Sequence, residues 1–174
     1  MKRTSSRSVS AAAVALLAVA TACSDARNPL TPKLEAWPQP PAPQTVELSG
    51  AGTIVDVPDG GFITFTFDVT SDATGVHGRF SAADTHGNTL NGTSFGPFRP
   101  SSSFCGTASN GAEFDAVGPF LDGGVLSTTG FTVKACDNGP PPNGGDTFFV
   151  HINSNGFEAS GTLLPGGDIQ KQVR

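Results

Sequence analysis

Between Thr129 and Ile169, apolar and polar residues alternate along three successive runs. Phe131, Val133 and Ala135 interleave with Thr132, Lys134 and Cys136. Phe148, Val150 and Ile152 interleave with Thr147, Phe149 and His151, and Phe157, Ala159 and Gly161 with Glu158, Ser160 and Thr162. A period of two places one set on each face of an extended chain, so each run reads as a half-buried strand. Gly, Asn, Asp and Pro clusters separate the runs, as tight connections demand. Together they predict a β-meander.

The preceding part of the chain continues the pattern. Ile63, Phe65, Phe67 and Val69 alternate with Thr64, Thr66 and Asp68 in a strand predicted over Phe62–Val69. Further strands are expected at Val46–Leu48, Thr53–Val57, Val76–Ala82, Thr89–Phe95, Ser102–Thr107, Glu113–Val117, Gly124–Ser127 and Ile169–Val173. No segment after the N-terminus sustains a 3.6-residue period, and parallel sheets would need crossover segments that are missing. The expected fold is all-β, an antiparallel β-sandwich or partly closed barrel with Greek-key-like connections, built from residues 45–174 as one domain.

The N-terminus reads as an export signal. Lys2, Arg3 and Arg7 precede an apolar run from Val9 to Val19, and Ala20-Thr21-Ala22-Cys23 ends in small residues and a cysteine. The run is shorter than the roughly 20 residues a membrane-spanning helix needs. The segment resembles a bacterial lipobox, with alanine at position 20 where leucine is usual. Residues 1–22 are then a lipoprotein signal peptide, and Cys23 is the acylated mature N-terminus. An ordinary signal peptide with a chance cysteine, giving a secreted protein, is the alternative. Ser24 favours outer-membrane sorting over inner by analogy. Residues 23–44 hold Pro29, Pro32, Pro38, Pro40, Pro41 and Pro43 and read as a semi-rigid tether. Trp37, the single tryptophan, lies within it as a candidate interface anchor or a tether aromatic.

Charge narrows the partners. The precursor has 10 basic and 15 acidic residues, and loss of the signal removes three of the bases and no acid, leaving −8. Nucleic acid is excluded as a partner, because phosphate binding needs clustered Lys and Arg, and Arg79, Arg99 and Lys134 stand isolated. The expected partners are the membrane, through the N-terminal lipid, and an envelope component or protein.

The segment Phe131–Gln170 also resembles a known family. Asp137–Gly139 (DNG), Gly145–Phe148 (GDTF), Phe157–Leu163 (F-x-ASGTL) and Gly166–Gln170 (GG-x-IQ) are similar to the C-terminal half of small secreted bacterial β domains that stand beside choice-of-anchor domains in surface proteins. Gly61–Phe67 and Val76–Phe80 resemble that family's early strands, whereas the two remaining cysteines depart from its usual pattern. The resemblance implies an extracytoplasmic all-β module and carries over no active site.

With Cys23 acylated, Cys105 and Cys136 remain, in an oxidising compartment. They are expected to form a disulfide. Strand parity places both on the outer face, which would make their strands neighbours through a Greek-key-like crossing. Two free structural thiols are the alternative.

Chemistry is sparsely signalled. Gly92-Thr93-Ser94-Phe95-Gly96 matches the G-x-S-x-G nucleophile elbow, but Pro97 and Pro100 follow where that elbow needs a helix. His77, His86 and His151 are too scattered for a metal motif. Asp137 and Asp146 flank a Pro/Gly loop and are the candidate calcium ligands, although Asp is also what tight turns select. Glu113, Asp115 and Glu158 face outward without a spacing that selects an acid–base pair. The reading is therefore a non-catalytic interaction module without a cofactor. The alternatives are a structural envelope lipoprotein, a calcium-dependent surface domain and a cryptic hydrolase. Sugar binding is disfavoured by the lack of tyrosine and by the position of Trp37 outside the domain.

Overall fold

A computed structural model describes residues 44–56, 60–107, 110–139 and 145–174, within the compact unit Pro40–Arg174. Ten strands form one antiparallel sheet: β1 Val46–Asp56, β2 Gly61–Asp72, β3 Gly75–Asp84, β4 Thr89–Gly92, β5 Ser94–Phe95, β6 Gly111–Asp122, β7 Val125–Cys136, β8 Thr147–Ile152, β9 Glu158–Thr162 and β10 Asp168–Val173. The order across the sheet is β10-β1-β2-β3-β4-β6-β7-β8-β9, with β5 paired to β6 off this path.

The sheet curls until its inner faces meet, a partly closed barrel. Four strands separate β2 from β8 along the sheet, yet Phe65 and Phe148 stack with ring centroids 3.7 Å apart and planes 10° from parallel. Phe80 lies 5.1 Å from Phe131, and Phe67 meets Phe114 edge-on at 6.4 Å. The alternating phase of each strand supplies this core: Ile63, Phe65, Phe67 and Val69 of β2 are buried, and Phe62, Thr64, Thr66 and Asp68 are exposed. Phe131, Val133 and Ala135 of β7 and Phe148, Val150 and Ile152 of β8 close it from the far side. Each buried Phe contributes about 2–3 kcal/mol of transfer free energy.

Two strands are longer than the sequence suggests, and glycine is the reason. Val46–Leu48 and Thr53–Asp56 join into β1 through Gly50 and Gly52, and Val57, where the second of the expected strands ends, lies outside the described residues. A Cβ on Gly50 would sit 2.9 Å from both Ile169 Cγ1 and Phe67 Cζ, and one on Gly52 would sit 2.8 Å from Leu163 Cδ2. These glycines mark close approach inside a strand, not a turn. Val125–Ser127 of the strand expected at Gly124–Ser127 likewise belongs to β7, because Gly123 and Gly124 (φ 55° and 84°) make a two-residue turn that continues the β6–β7 ladder to Asp122 and Val125. Conversely, Thr89–Phe95 divides into β4 and β5, which pair with different parts of β6.

The strand expected over Ser102–Thr107 is instead a single helical turn, α1, Ser102–Cys105. Pro97 and Pro100 confine the approach to a single bridge, Arg99 with Glu113, the Ser101 carbonyl accepts the N–H of Phe104 and of Cys105, and Gly106 ends the turn at φ 74°. Consequently no strand crossing joins Cys105 to Cys136. The non-sequential neighbours in the sheet are β10 with β1 and β4 with β6.

β10 closes the curl. One edge pairs with β1 from Val46↔Val173 to Ala51↔Asp168, and beyond that the Leu164 N–H continues along β1 to the Thr53 carbonyl at 2.8 Å. Among the described residues its other edge has no strand beside it. There the Ile169 N–H donates to Asp146 Oδ2 at 2.6 Å and the Lys171 N–H to Asp137 Oδ2 at 3.2 Å.

Candidate functional site

The outer face of β1, β2 and β3 carries an open concave surface. Thr53 pairs with Thr64 and Thr64 with Ala83; one row on, Ala51 pairs with Thr66 and Thr66 with Ser81. Small and hydroxyl-bearing side chains in the outward phase leave a floor, and Leu164–Gly167, drawn alongside β1 by the Leu164 hydrogen bond, raises a wall. The result is an open groove of about 940 Å³. The Thr53 and Thr64 hydroxyls lie 3.1 Å apart. Phe62 stands at one end, its backbone tied to Thr85 by two hydrogen bonds. It is 47% exposed and is the one exposed phenylalanine of the 13 in the chain. Val55, paired across from it, is 45% exposed. Among the described residues no charged side chain lines the groove; Asp168, opposite Ala51 on β10, borders it, and a row away Asp68 faces Arg79 across β2 and β3.

The candidate calcium acids do other work. Asp146 is buried, and its two oxygens accept the N–H groups of Asn138 (2.9 Å) and Ile169 (2.6 Å). Asp137 accepts those of Gly139 (3.1 Å) and Lys171 (3.2 Å). Both carboxylates thus stand in for strand carbonyls along the open edge of β10. Among the described residues, no group of three or more His, Cys, Asp or Glu side chains could hold a metal ion.

Cys105 and Cys136 form a disulfide, with Cα atoms 5.4 Å apart. Cys136 does lie in the outward phase of β7, beside Lys134, but it is fully buried because the α1 turn lies across it. The bond pins that turn to the outside of the sheet, where Phe104 packs 5.9 Å from Phe149 and Lys134 Nζ sits 4.8 Å from the same ring.

The outward acids are paired. Arg99 donates to Asp115 Oδ2 at 2.7 Å and to Glu113 Oε1 at 2.9 Å, Lys134 lies 3.7 Å from Glu113, and the Thr132 hydroxyl donates to Asp115 Oδ1 at 2.7 Å. The Arg99 hydrogen bond holds the Asp115 carboxyl below the usual carboxylate range, and the two acids raise the Arg99 guanidinium in turn. Glu158 lies 3.1 Å from His151 Nδ1.

The other histidines are far from one another in the fold. His77 of β3 lies 3.9 Å from Asp72, the last residue of β2, and the His86 N–H donates to Asp84 Oδ1 in the β3–β4 turn. Gly92–Gly96 runs strand to strand, and Ser94 pairs with Val117 with no helix following. Cys23 and Trp37 lie outside the described residues.

Sequence reasoning missed the groove. Its one signal was Phe62 in the outward phase of β2, followed by Thr64 and Thr66. Among the described residues no helix is long and apolar enough to cross a membrane. No protein family, curated protein or solved structure matches the chain.

Proposed function

We propose that this chain is an exported, lipid-anchored recognition module without catalytic chemistry, acylated at Cys23, held off the membrane by the tether of residues 23–44 and sorted to the outer membrane. Its groove on β1, β2 and β3 faces the ligand. The observation that carries this reading is Phe62: half-exposed on a concave, uncharged surface in a protein whose other phenylalanines are wholly or partly buried. Exposed aromatics at the rim of a concavity supply contact area at low conformational cost, which is what binding surfaces select. Of the acids that sequence singled out, Glu113 and Asp115 are engaged by Arg99 and Lys134, and Glu158 lies beside His151.

The test is saturation binding of the full chain to fractionated native envelope across a salt series. Saturable binding to one fraction, lost in Phe62→Ala, is the expected result. Linear, unsaturated uptake in every fraction supports the second reading, a structural envelope lipoprotein without a specific ligand. Chelation of divalent cations leaves binding unchanged under this reading, because both oxygens of Asp137 and of Asp146 already hold backbone N–H groups.

A further inference from the structure

We infer that the groove takes a neutral carbohydrate chain. The inference rests on the groove's being the recognition surface, and three features of that surface choose the ligand class.

The first is charge. Among the described residues the floor and wall contain no acid or base; Asp168 of β10 borders the row of Ala51, Thr66 and Ser81, and the next row holds Asp68 opposite Arg79. A charged ligand centred on this floor would lose its hydration without a counter-charge among the lining residues, which is costly. An uncharged one fits, and a mature chain of net charge −8 repels polyanions in addition.

The second is hydrogen-bonding type. Thr53, Thr64, Thr66 and Ser81 each present a hydroxyl that both donates and accepts. A sugar hydroxyl is the same kind of group and pairs with such a floor in either sense. A peptide would use its own N–H and C=O ladder, which an open strand edge satisfies and a sheet face does not. In the groove the backbone groups of β2 are taken up by β1 and β3.

The third is shape. The groove is open along its length, so it cannot enclose a compact small molecule on most sides, as small-ligand pockets do. A chain that runs through it, with one sugar face against the Phe62 ring and its hydroxyls over the Thr and Ser floor, uses the whole surface. Phe62 thereby fills the platform role for which the chain holds no tyrosine and a single tryptophan, Trp37, outside the domain.

Affinity electrophoresis of the full chain tests this, in native gels cast with glucomannan, hydroxyethylcellulose or dextran, and with polygalacturonate as the anionic comparison. The expected result is retardation by at least one neutral polymer, unaffected by 0.5 M NaCl on the order of fifty-fold above a low-salt buffer. Phe62→Ala weakens it tenfold or more, Phe62→Trp preserves it, and Val117→Ser on another part of the surface leaves it intact. Unchanged urea midpoints for the variants show that folding is not the cause. Retardation by polygalacturonate alone, or by no neutral polymer, overturns the carbohydrate assignment. In that event, Phe62-dependent binding to native envelope that disappears on protease treatment keeps the groove as a protein-docking surface. Phe62-independent binding overturns both readings.

Discussion

Asp146 accepts the backbone N–H of Ile169 at 2.6 Å, a side-chain oxygen taking the place of a strand carbonyl on the open edge of β10. Two residues on, Asp137 does the same for Lys171. The spacing follows from the ladder: with β10 paired to β1 on one side, the N–H groups of alternate residues point to the other. A sheet that curls without completing its last pairing leaves those donors exposed to a mismatch with the interior, and two carboxylates resolve it. This arrangement also protects the edge from pairing with another chain.

Asp146→Ala is therefore expected to destabilise the fold by about 2–4 kcal/mol, the cost of losing two charge-assisted hydrogen bonds and stranding buried donors. Asp146→Asn, which keeps one good acceptor, is expected to cost roughly half as much. Urea denaturation followed by circular dichroism checks both, and an Asp146→Ala variant as stable as the parent would contradict the role.

The disulfide is expected to contribute about 3–4 kcal/mol, given its sequence separation of 31. Paired Cys105→Ser and Cys136→Ser substitutions should lower the urea midpoint accordingly. Because the bond pins α1 and not a sheet strand, the strand content by circular dichroism should survive. Loss of β structure on reduction would contradict that placement.

Truncating the stacked pair at the centre of the curl should be costlier. Phe148→Ala removes a fully buried ring that stacks on Phe65 across the barrel, and a loss of about 3–5 kcal/mol is expected. A loss below about 1 kcal/mol would mean the two inner faces do not meet there.

Acid sensitivity has an identifiable source. The folded-state pKa of Asp115 lies below its unfolded value because of Arg99, so its contribution is fully present above about pH 4 and is lost as pH falls through the lowered value. Asp72 acts in the same sense through Thr74. Arg99→Met should flatten the fall in melting temperature between pH 5 and 2 while leaving the Asp72 part in place. An identical acid limb in the variant would remove Asp115 from the account. The side chain of Asp115 is more than half exposed, so the effect is small.

The all-β character was legible wherever one face of a strand is buried and the other wet, as in Phe131–Cys136 and Ile63–Val69, since alternation there is a direct consequence of the fold. Glycine was where reading failed. In β1 it serves close packing against Ile169, Phe67 and Leu163, residues distant in sequence, and no local signal separates that use from a turn. Cys105 was paired correctly with Cys136 but given the wrong backbone, because parity applies only once a segment is known to be a strand. The carboxylates of Asp137 and Asp146 drew notice as oxygen ligands, and their partners on β10 lie 34 and 23 residues away, respectively. The groove exists only because Leu164–Gly167 folds beside β1, a tertiary relationship that the outward Thr and Phe of β2 could hint at but not specify.

Hydroxyl-radical footprinting of the full chain, with and without the envelope fraction it binds, tests the central claim most directly. Phe62 and Val55 in and beside the groove are 47% and 45% exposed, and Val117, Val125 and Leu126 elsewhere are 47%, 67% and 71% exposed, so both regions are open to oxidation in the free protein. Protection confined to Phe62, Val55 and the Leu164–Gly167 wall is the predicted result. Protection of Val125 and Leu126 with Phe62 still oxidised at its free rate would move recognition to the β6–β7 hairpin and contradict the account.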